Sequence, residues 1–265
     1  SLNLVDGVVE IVDARIPVSS RNPELDSIIQ KKPRIILLNK CDVADSQATS
    51  MWLKYFRDKG FYAAAVDCRT GKGLNSFDSL VKQALKSVIE RNDAKGMSGK
   101  PLRLMVVGIP NTGKSSFINR MGKNAKAKVA DKAGVTRQNQ WFVVGNGIEL
   151  LDTPGVLWPK FDDPEVGDKL AFIGSVKDEV TDKETLACRL LESLAATRPQ
   201  AIEDRYKISG ISGLQGWEIL EMIGKKRGFL IKGGEIDYER AAVIVADEFR
   251  GGKLGRITLE LPIDE

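Results

Sequence analysis

The chain has 265 residues, 42% hydrophobic and 29% charged, with a net charge of +4 and no histidine. That length can bury a sizeable core in one large or two ordinary domains, and the composition excludes a fibrous or chiefly unfolded chain. No apolar run is long enough to span a bilayer and no signal peptide is expected. Three scattered cysteines (Cys41, Cys68, Cys188) without histidine argue against structural zinc and for a reducing, cytoplasmic setting. The basic excess lies before residue 179, and beyond it acidic residues outnumber basic ones, so charge alone makes no case for nucleic acid. The chain starts at Ser1, almost directly in a strand, so a further N-terminal segment is expected.

In chain order, 4–13 and 34–39 are apolar and β-branched and read as buried parallel strands, with a helix over 21–31 between them. A helix at 46–59 and a strand at 61–66 follow. A single amphipathic helix is then predicted over 74–91, with Leu74, Phe77, Leu80, Val81, Leu85 and Val88 on one face. The polar stretch 92–101 reads as a linker. The pattern then restarts with a strand at 102–107, a Gly-rich turn and a helix from Lys114. Strands at 139–144 and 148–151 flank a Gly-Asn-Gly hairpin. Helical patterns at 181–196, 214–224 and 237–250 close the chain. The expected architecture is a doubly wound α/β domain over 1–175 and a small all-helical domain over 176–265.

The strongest chemical signal is Gly108-Ile-Pro-Asn-Thr-Gly113-Lys114-Ser115, a phosphate-binding loop between a strand and a helix. Its glycines let backbone N–H groups wrap a phosphate at the positive end of the helix. Asn111, Thr112, Gly113, Lys114, Ser115 and Ser116 would line the phosphates, with Lys114 on the β- and γ-oxygens and the Ser115 hydroxyl on Mg²⁺. The base is set by Asn39-Lys40-Cys41-Asp42 at a strand end. A carboxylate at Asp42 accepts from N1–H and the exocyclic amine of guanine, a donor pair adenine lacks. Lys40 would lie over the base and Asn39 would tie neighbouring loops together.

Asp67-Cys-Arg-Thr-Gly71-Lys-Gly73 follows the next strand, where the Cys68 N–H could meet guanine O6; a plain surface turn is the other reading. Asp152-Thr-Pro-Gly155 ends a strand, placing Asp152 for Mg²⁺ and the Gly155 N–H for the γ-phosphate. Thr136, in Gly134-Val-Thr136-Arg, suits a switch loop closing on Mg²⁺ and γ-phosphate. Lys114, Thr136 and Gly155 are thus the expected catalytic surroundings, and Ser115, Thr136 and Asp152 the metal ligands. Asn111 is a candidate K⁺ ligand, or simply a residue that fits a tight turn.

These motifs run in the order NKxD, SAxxG-like, P-loop, switch Thr, DTPG, whereas ordinary GTPases begin with the P-loop. The order, with Asp13-Ala-Arg-Ile-Pro17, Arg21-Asn-Pro23 and Pro154-Gly-Val-Leu-Trp-Pro159, closely resembles the YlqF/RbgA family of circularly permuted GTPases. The resemblance covers essentially the whole chain. It implies GTP hydrolysis in assembly of the large ribosomal subunit, with the helical domain touching ribosomal RNA, and neither membrane nor DNA as partner. The sequence's own support for RNA is a run of basic residues between 225 and 256 (Lys225, Lys226, Arg227, Lys232, Arg240, Arg250, Lys253, Arg256), which a solvated surface explains as well.

Where Ras-like proteins carry a water-orienting Gln, this chain has Val156 followed by Leu157. The resemblance implies a His from a segment ahead of the first strand, and no histidine is present to take that role. Slow turnover without a partner is therefore expected. A non-catalytic guanine-nucleotide sensor, an RNA-binding module and an ATPase or P-loop kinase are the rival readings, the last opposed by Asp42.

Overall fold

The computed structural model describes residues 2–29, 31–123, 140–155, 162–177 and 182–263. Two compact units are present: residues 1–160 with 258–265, and residues 161–257.

The first unit is built on a six-stranded sheet of order β3-β2-β1-β4-β6-β5. Its strands are β1 (Gly7–Asp13), β2 (Arg34–Asn39), β3 (Tyr62–Ala65), β4 (Leu102–Val107), β5 (Gln140–Gly145) and β6 (Ile148–Asp152). All pairings are parallel except β5 with β6, joined by the tight turn at Asn146–Gly147, where both residues take positive φ. β1 and β2 are buried along their whole length, as strands covered on both faces must be. Alternate residues serve opposite faces. Val9 and Ile11 pack with Phe77, Val81, Leu85 and Phe117, whereas Val12, Ile36 and Leu38 pack with Trp52 and Phe56. The helices are α1 (Glu24–Ile29), α2 (Ser46–Asp58), α3 (Phe77–Ala84), α4 (Lys86–Ala94) and α5 (Lys114–Lys123).

The chain winds from β1 to β3 on one side and restarts at β4 on the other side of β1. This puts the topological switch point between β1 and β4, the position at which open α/β sheets bind ligands beyond their carboxyl ends. The loops after β1, β2, β3, β4 and β6 all leave from that edge.

Three expectations about elements need correction. Residues 2–4 form a short 3-10 turn, so β1 starts at Gly7. The helix expected over 21–31 is confined to Glu24–Ile29. The helix over 74–91 is a 3-10 turn and two α-helices parted at Leu85 (φ −103°), with α4 running into the expected linker as far as Ala94. Phe77, Val81, Leu85 and Val88 stay buried on one face across the break, so apolar periodicity cannot register it.

The second unit is all helical: α6 (Pro164–Phe172), α7 (Lys183–Thr197), α8 (Pro199–Tyr206), α9 (Gly216–Arg227) and α10 (Tyr238–Arg250). Leu186, Leu190, Leu191 and Leu194 of α7 are buried beside Ile219, Leu220 and Ile223 of α9 and Ala241, Ala242 and Val245 of α10. The start of α9 lies against the α7 backbone, where a Cβ on Gly216 would stand 2.2 Å from the Cys188 carbonyl oxygen. α6 and α8 are not among the expected helices, although each opens on a proline in its first turn.

The division into units differs from the expected 175/176 boundary on two segments. The helix α6 belongs with the helical unit, because Arg250 donates from Nε to the Phe172 carbonyl (3.1 Å) and from Nη2 to that of Ala171 (2.9 Å). Residues 258–265 rejoin the first unit.

Candidate nucleotide site

The loop Asn39–Asp42 leaves the carboxyl end of β2, and its two leading residues reach the loop after β4. Asn39 Nδ2 donates to the Thr112 carbonyl (2.8 Å) and Asn39 Oδ1 accepts from the Cys68 N–H (2.9 Å), so one buried side chain joins three loops. Lys40 Nζ donates to the Asn111 carbonyl at 2.5 Å and lies 3.5 Å from Asp13 Oδ2. Lys40 takes φ +60°, a left-handed conformation uncommon for a non-glycine residue. Burial and Arg15 push its ammonium pKa down, with Asp13 working against them.

Asp13 is fully buried at the end of β1. Its Oδ1 accepts from the Arg15 N–H (2.9 Å) and Nε (3.0 Å), and its Oδ2 from Arg15 Nη2 (2.8 Å). Burial alone would raise its pKa, but the Arg15 guanidinium and these bonds hold it below the usual carboxylate value. Asp42 is partly exposed, with Arg69 Nη2 at 3.5 Å.

The loop after β3 is shaped by Asp67. Its Oδ1 accepts from the N–H of Arg69 (3.0 Å) and Thr70 (3.4 Å), and its Oδ2 from the Thr70 hydroxyl (2.7 Å). An aspartate thus closes the turn where the usual loop has serine. Gly73 is required here: its φ is +83°, and a Cβ would stand 2.4 Å from the Ala65 carbonyl oxygen. The Cys68 N–H, expected to meet guanine O6, donates to Asn39, so a base oxygen would have to share it. Burial pushes the Cys68 thiol up to about 12, which leaves it inert.

On the other side of the switch point, Gly113 has φ +99°, and a Cβ there would stand 2.0 Å from Asn39 Nδ2. Asn111 also takes positive φ (+63°), a conformation asparagine tolerates well, so the backbone alone accounts for its identity. The buried Thr112 hydroxyl turns inward to the Ile109 carbonyl (2.9 Å). Ser115 and Ser116 are exposed in the first turn of α5. Lys114 Nζ donates to Asp152 Oδ1 (2.5 Å) and to the Thr153 carbonyl, and both charged residues of this pair are buried. Gly155 lies against the phosphate loop, where an added Cβ would be 3.2 Å from the Gly108 carbonyl oxygen. Thr136, Val156 and Leu157 fall outside the described residues.

The structure therefore gathers Asn39, Lys40, Cys68, Asn111 and Thr112 into one bonded frame, with Gly113 packed against Asn39. Lys114, Asp152 and Gly155 sit together beside the phosphate loop. Sequence reasoning noticed the Asp13–Arg15 string but gave it no role. Its signal was an aspartate at the end of a strand that is otherwise apolar apart from Glu10. Among the described residues no group of side chains forms a metal cluster of His, Cys, Asp and Glu, and no helix is long and apolar enough to cross a membrane.

A P-loop framed by guanine-type loops at the switch point of a doubly wound sheet defines a GTPase, here with its motifs in permuted order. A family model described as a 50S ribosome-binding GTPase matches residues 103–205. The chain is 46% identical to the ribosome biogenesis GTPase A of Priestia megaterium over 98% of its length and 91% of that protein's. With the protein of the same name from Bacillus cereus it shares 43% identity, over 98% of this chain and 88% of that one. Among solved structures, GDP-bound YlqF of T. maritima superposes with a TM-score of 0.72 at 31% identity, covering 99% of this chain and 97% of that one. GNP-bound YlqF from the same organism gives 0.69 at 32% identity, covering 100% and 96%. The chain belongs to the ribosome biogenesis GTPase A (YlqF/RbgA) family, and it binds and hydrolyses GTP.

Proposed function

We propose that this GTPase is a switch acting on the large ribosomal subunit precursor in the cytoplasm, with the helical unit meeting ribosomal RNA. The observation that carries the reading is the pair of bonds from Asn39 and Lys40 to the Thr112 and Asn111 carbonyls. Through them the loop that selects the base and the loop that holds the phosphates are one frame.

In this reading Asp42 accepts from guanine N1–H and the exocyclic amine, the Lys40 stem covers the base, and the Cys68 N–H is shared with O6. The N–H groups from Asn111 to Ser116 cradle the β-phosphate, helped by the dipole of α5. Lys114 exchanges Asp152 and the Thr153 carbonyl for phosphate oxygens, while Gly155 and Thr136 meet the γ-phosphate. Ser115, Thr136 and Asp152 are hard oxygen donors that suit Mg²⁺, whose charge offsets that on the β- and γ-phosphates. Asn111 would hold K⁺ beside them. Neither Val156 nor Leu157 can hydrogen-bond the attacking water, so turnover by this chain alone is slow and rises with the ribosomal partner.

For RNA, Lys225, Lys226, Arg227, Lys232, Lys253 and Arg256 are exposed, whereas Arg250 is committed to the end of α6. Exposed cations supply phosphate contacts whose strength falls steeply with salt. Co-sedimentation with large ribosomal subunits tests the switch: retention is expected with a non-hydrolysable GTP analogue and loss with GDP. Equal retention in both states would reject it.

A further inference from the structure

After Ile257 the chain leaves the helical unit, and its last residues lie on the first unit. Thr258 Oγ1 accepts from the Asp45 N–H (3.0 Å), and the Leu259 N–H donates to the Arg15 carbonyl (2.8 Å). Glu260 Oε1 accepts from the N–H groups of Val18 (2.6 Å) and Ser19 (2.9 Å), and its Oε2 from the Ser19 hydroxyl (2.7 Å). The Glu260 carbonyl accepts from Trp52 Nε1 (2.9 Å).

The partners of these six bonds belong to the loop after β1, the end of the loop after β2, and α2. Asp45 ends the loop that carries Asp42 and caps α2 by accepting from the Ala48 N–H (2.8 Å). Arg15 locks Asp13, whose carboxylate faces Lys40. The tail therefore holds the backbone at Asp45, three residues past Asp42, and the loop after β1 that carries Arg15. A carboxylate receiving three donors is among the stronger hydrogen-bonded anchors a chain end can make.

We propose that Thr258–Glu260 form a positioning latch for the base-reading loop: docked, they retain guanine nucleotide, and undocked, they let GDP leave faster. The proposal rests on the nucleotide reading above. Because the helical unit is inserted between residues 160 and 258, a pull on its C-terminal end loads the latch directly. The latch thus gives a partner that grips this unit a covalent route to nucleotide release.

The test uses the full chain carrying Glu260→Ala or Thr258→Val. Release of fluorescent GDP is followed by stopped flow, beside single-turnover hydrolysis of bound GTP and thermal melting. About tenfold faster release is expected for Glu260→Ala, equivalent to about 1.4 kcal/mol, with hydrolysis of bound GTP unchanged. A smaller acceleration is expected for Thr258→Val, which removes one acceptor. Release at the parent rate from Glu260→Ala protein would overturn the latch. So would release and hydrolysis changing together in step with a lower melting temperature, the signature of general loosening. Asp42→Asn separates the premises: if it leaves GDP release unmoved, the base-site reading fails and the latch with it. A normal Asp42→Asn effect beside an unmoved Glu260→Ala refutes the latch alone.

Discussion

On the proposed base side of the site, Asp13, Arg15 and Asn39 are held by buried bonds and Lys40 by an exposed one to the Asn111 carbonyl, whereas on the proposed phosphate side Lys114 rests on Asp152 and the Thr153 carbonyl. The first arrangement aims groups whose partners are already the protein itself, so the pocket's shape costs little to hold once the sheet has formed. In the nucleotide reading, the second pairs a cation with a proposed metal ligand, and an incoming phosphate would displace that pair. In the nucleotide reading the base-side frame is held by internal bonds, with the Cys68 N–H shared, whereas on the other side ligand charge competes with an internal ion pair.

The contrast predicts where substitutions hurt most. Lys114→Ala removes both the proposed phosphate contact and the cation beside buried Asp152. A loss of GTP affinity of at least about 10²-fold is expected, the scale of a removed transition-state or anion donor. Isothermal calorimetry with GDP and GTP checks it, and near-parent binding would place the phosphates elsewhere.

Asp42→Asn should leave the phosphate side intact and lower GDP affinity roughly 10²-fold while raising affinity for xanthosine diphosphate, because an amide can donate to xanthine's C2 carbonyl. Full retention of GDP affinity would mean that another group reads the base.

Asp13→Asn attacks the frame rather than the ligand. It leaves Arg15 buried beside a neutral partner, a change that typically costs about 3–5 kcal/mol. Thermal melting should show it, with GDP release accelerated through Lys40. The pH dependence follows from the lowered pKa of Asp13: the pair's stabilisation is present in full above the unfolded carboxylate value and is lost only as pH falls through the lower folded value. Melting temperature should therefore be insensitive to this pair from pH 5 to 8. Below about pH 4, the ordinary aspartate value, it should fall in the parent and less in the variant.

The smallest effect expected is ionic. If Asn111 holds K⁺, single-turnover hydrolysis should run about tenfold faster in K⁺ than in Na⁺, about 1.4 kcal/mol of barrier. Equal rates would leave Asn111 as a residue chosen for its positive φ.

By itself the sequence determined the sheet class, the motif set and its permuted order, and hence which loops could form a site. Apolar runs such as Ile35–Leu38 and the spacing of Gly108–Ser115 are local patterns, readable without neighbours. The break at Leu85 left no trace in that pattern, because its apolar face is continuous. Only the tertiary structure decided which donor each loop group spends and on whom. The Cys68 N–H goes to Asn39, the Arg250 guanidinium to the end of α6, and the Ser19 N–H to Glu260, 241 residues away in the chain. The pairings in the first unit depend on which loops the strand order brings to one edge of the sheet, that of Arg250 on how α10 packs against α6, and no periodicity along the chain encodes either.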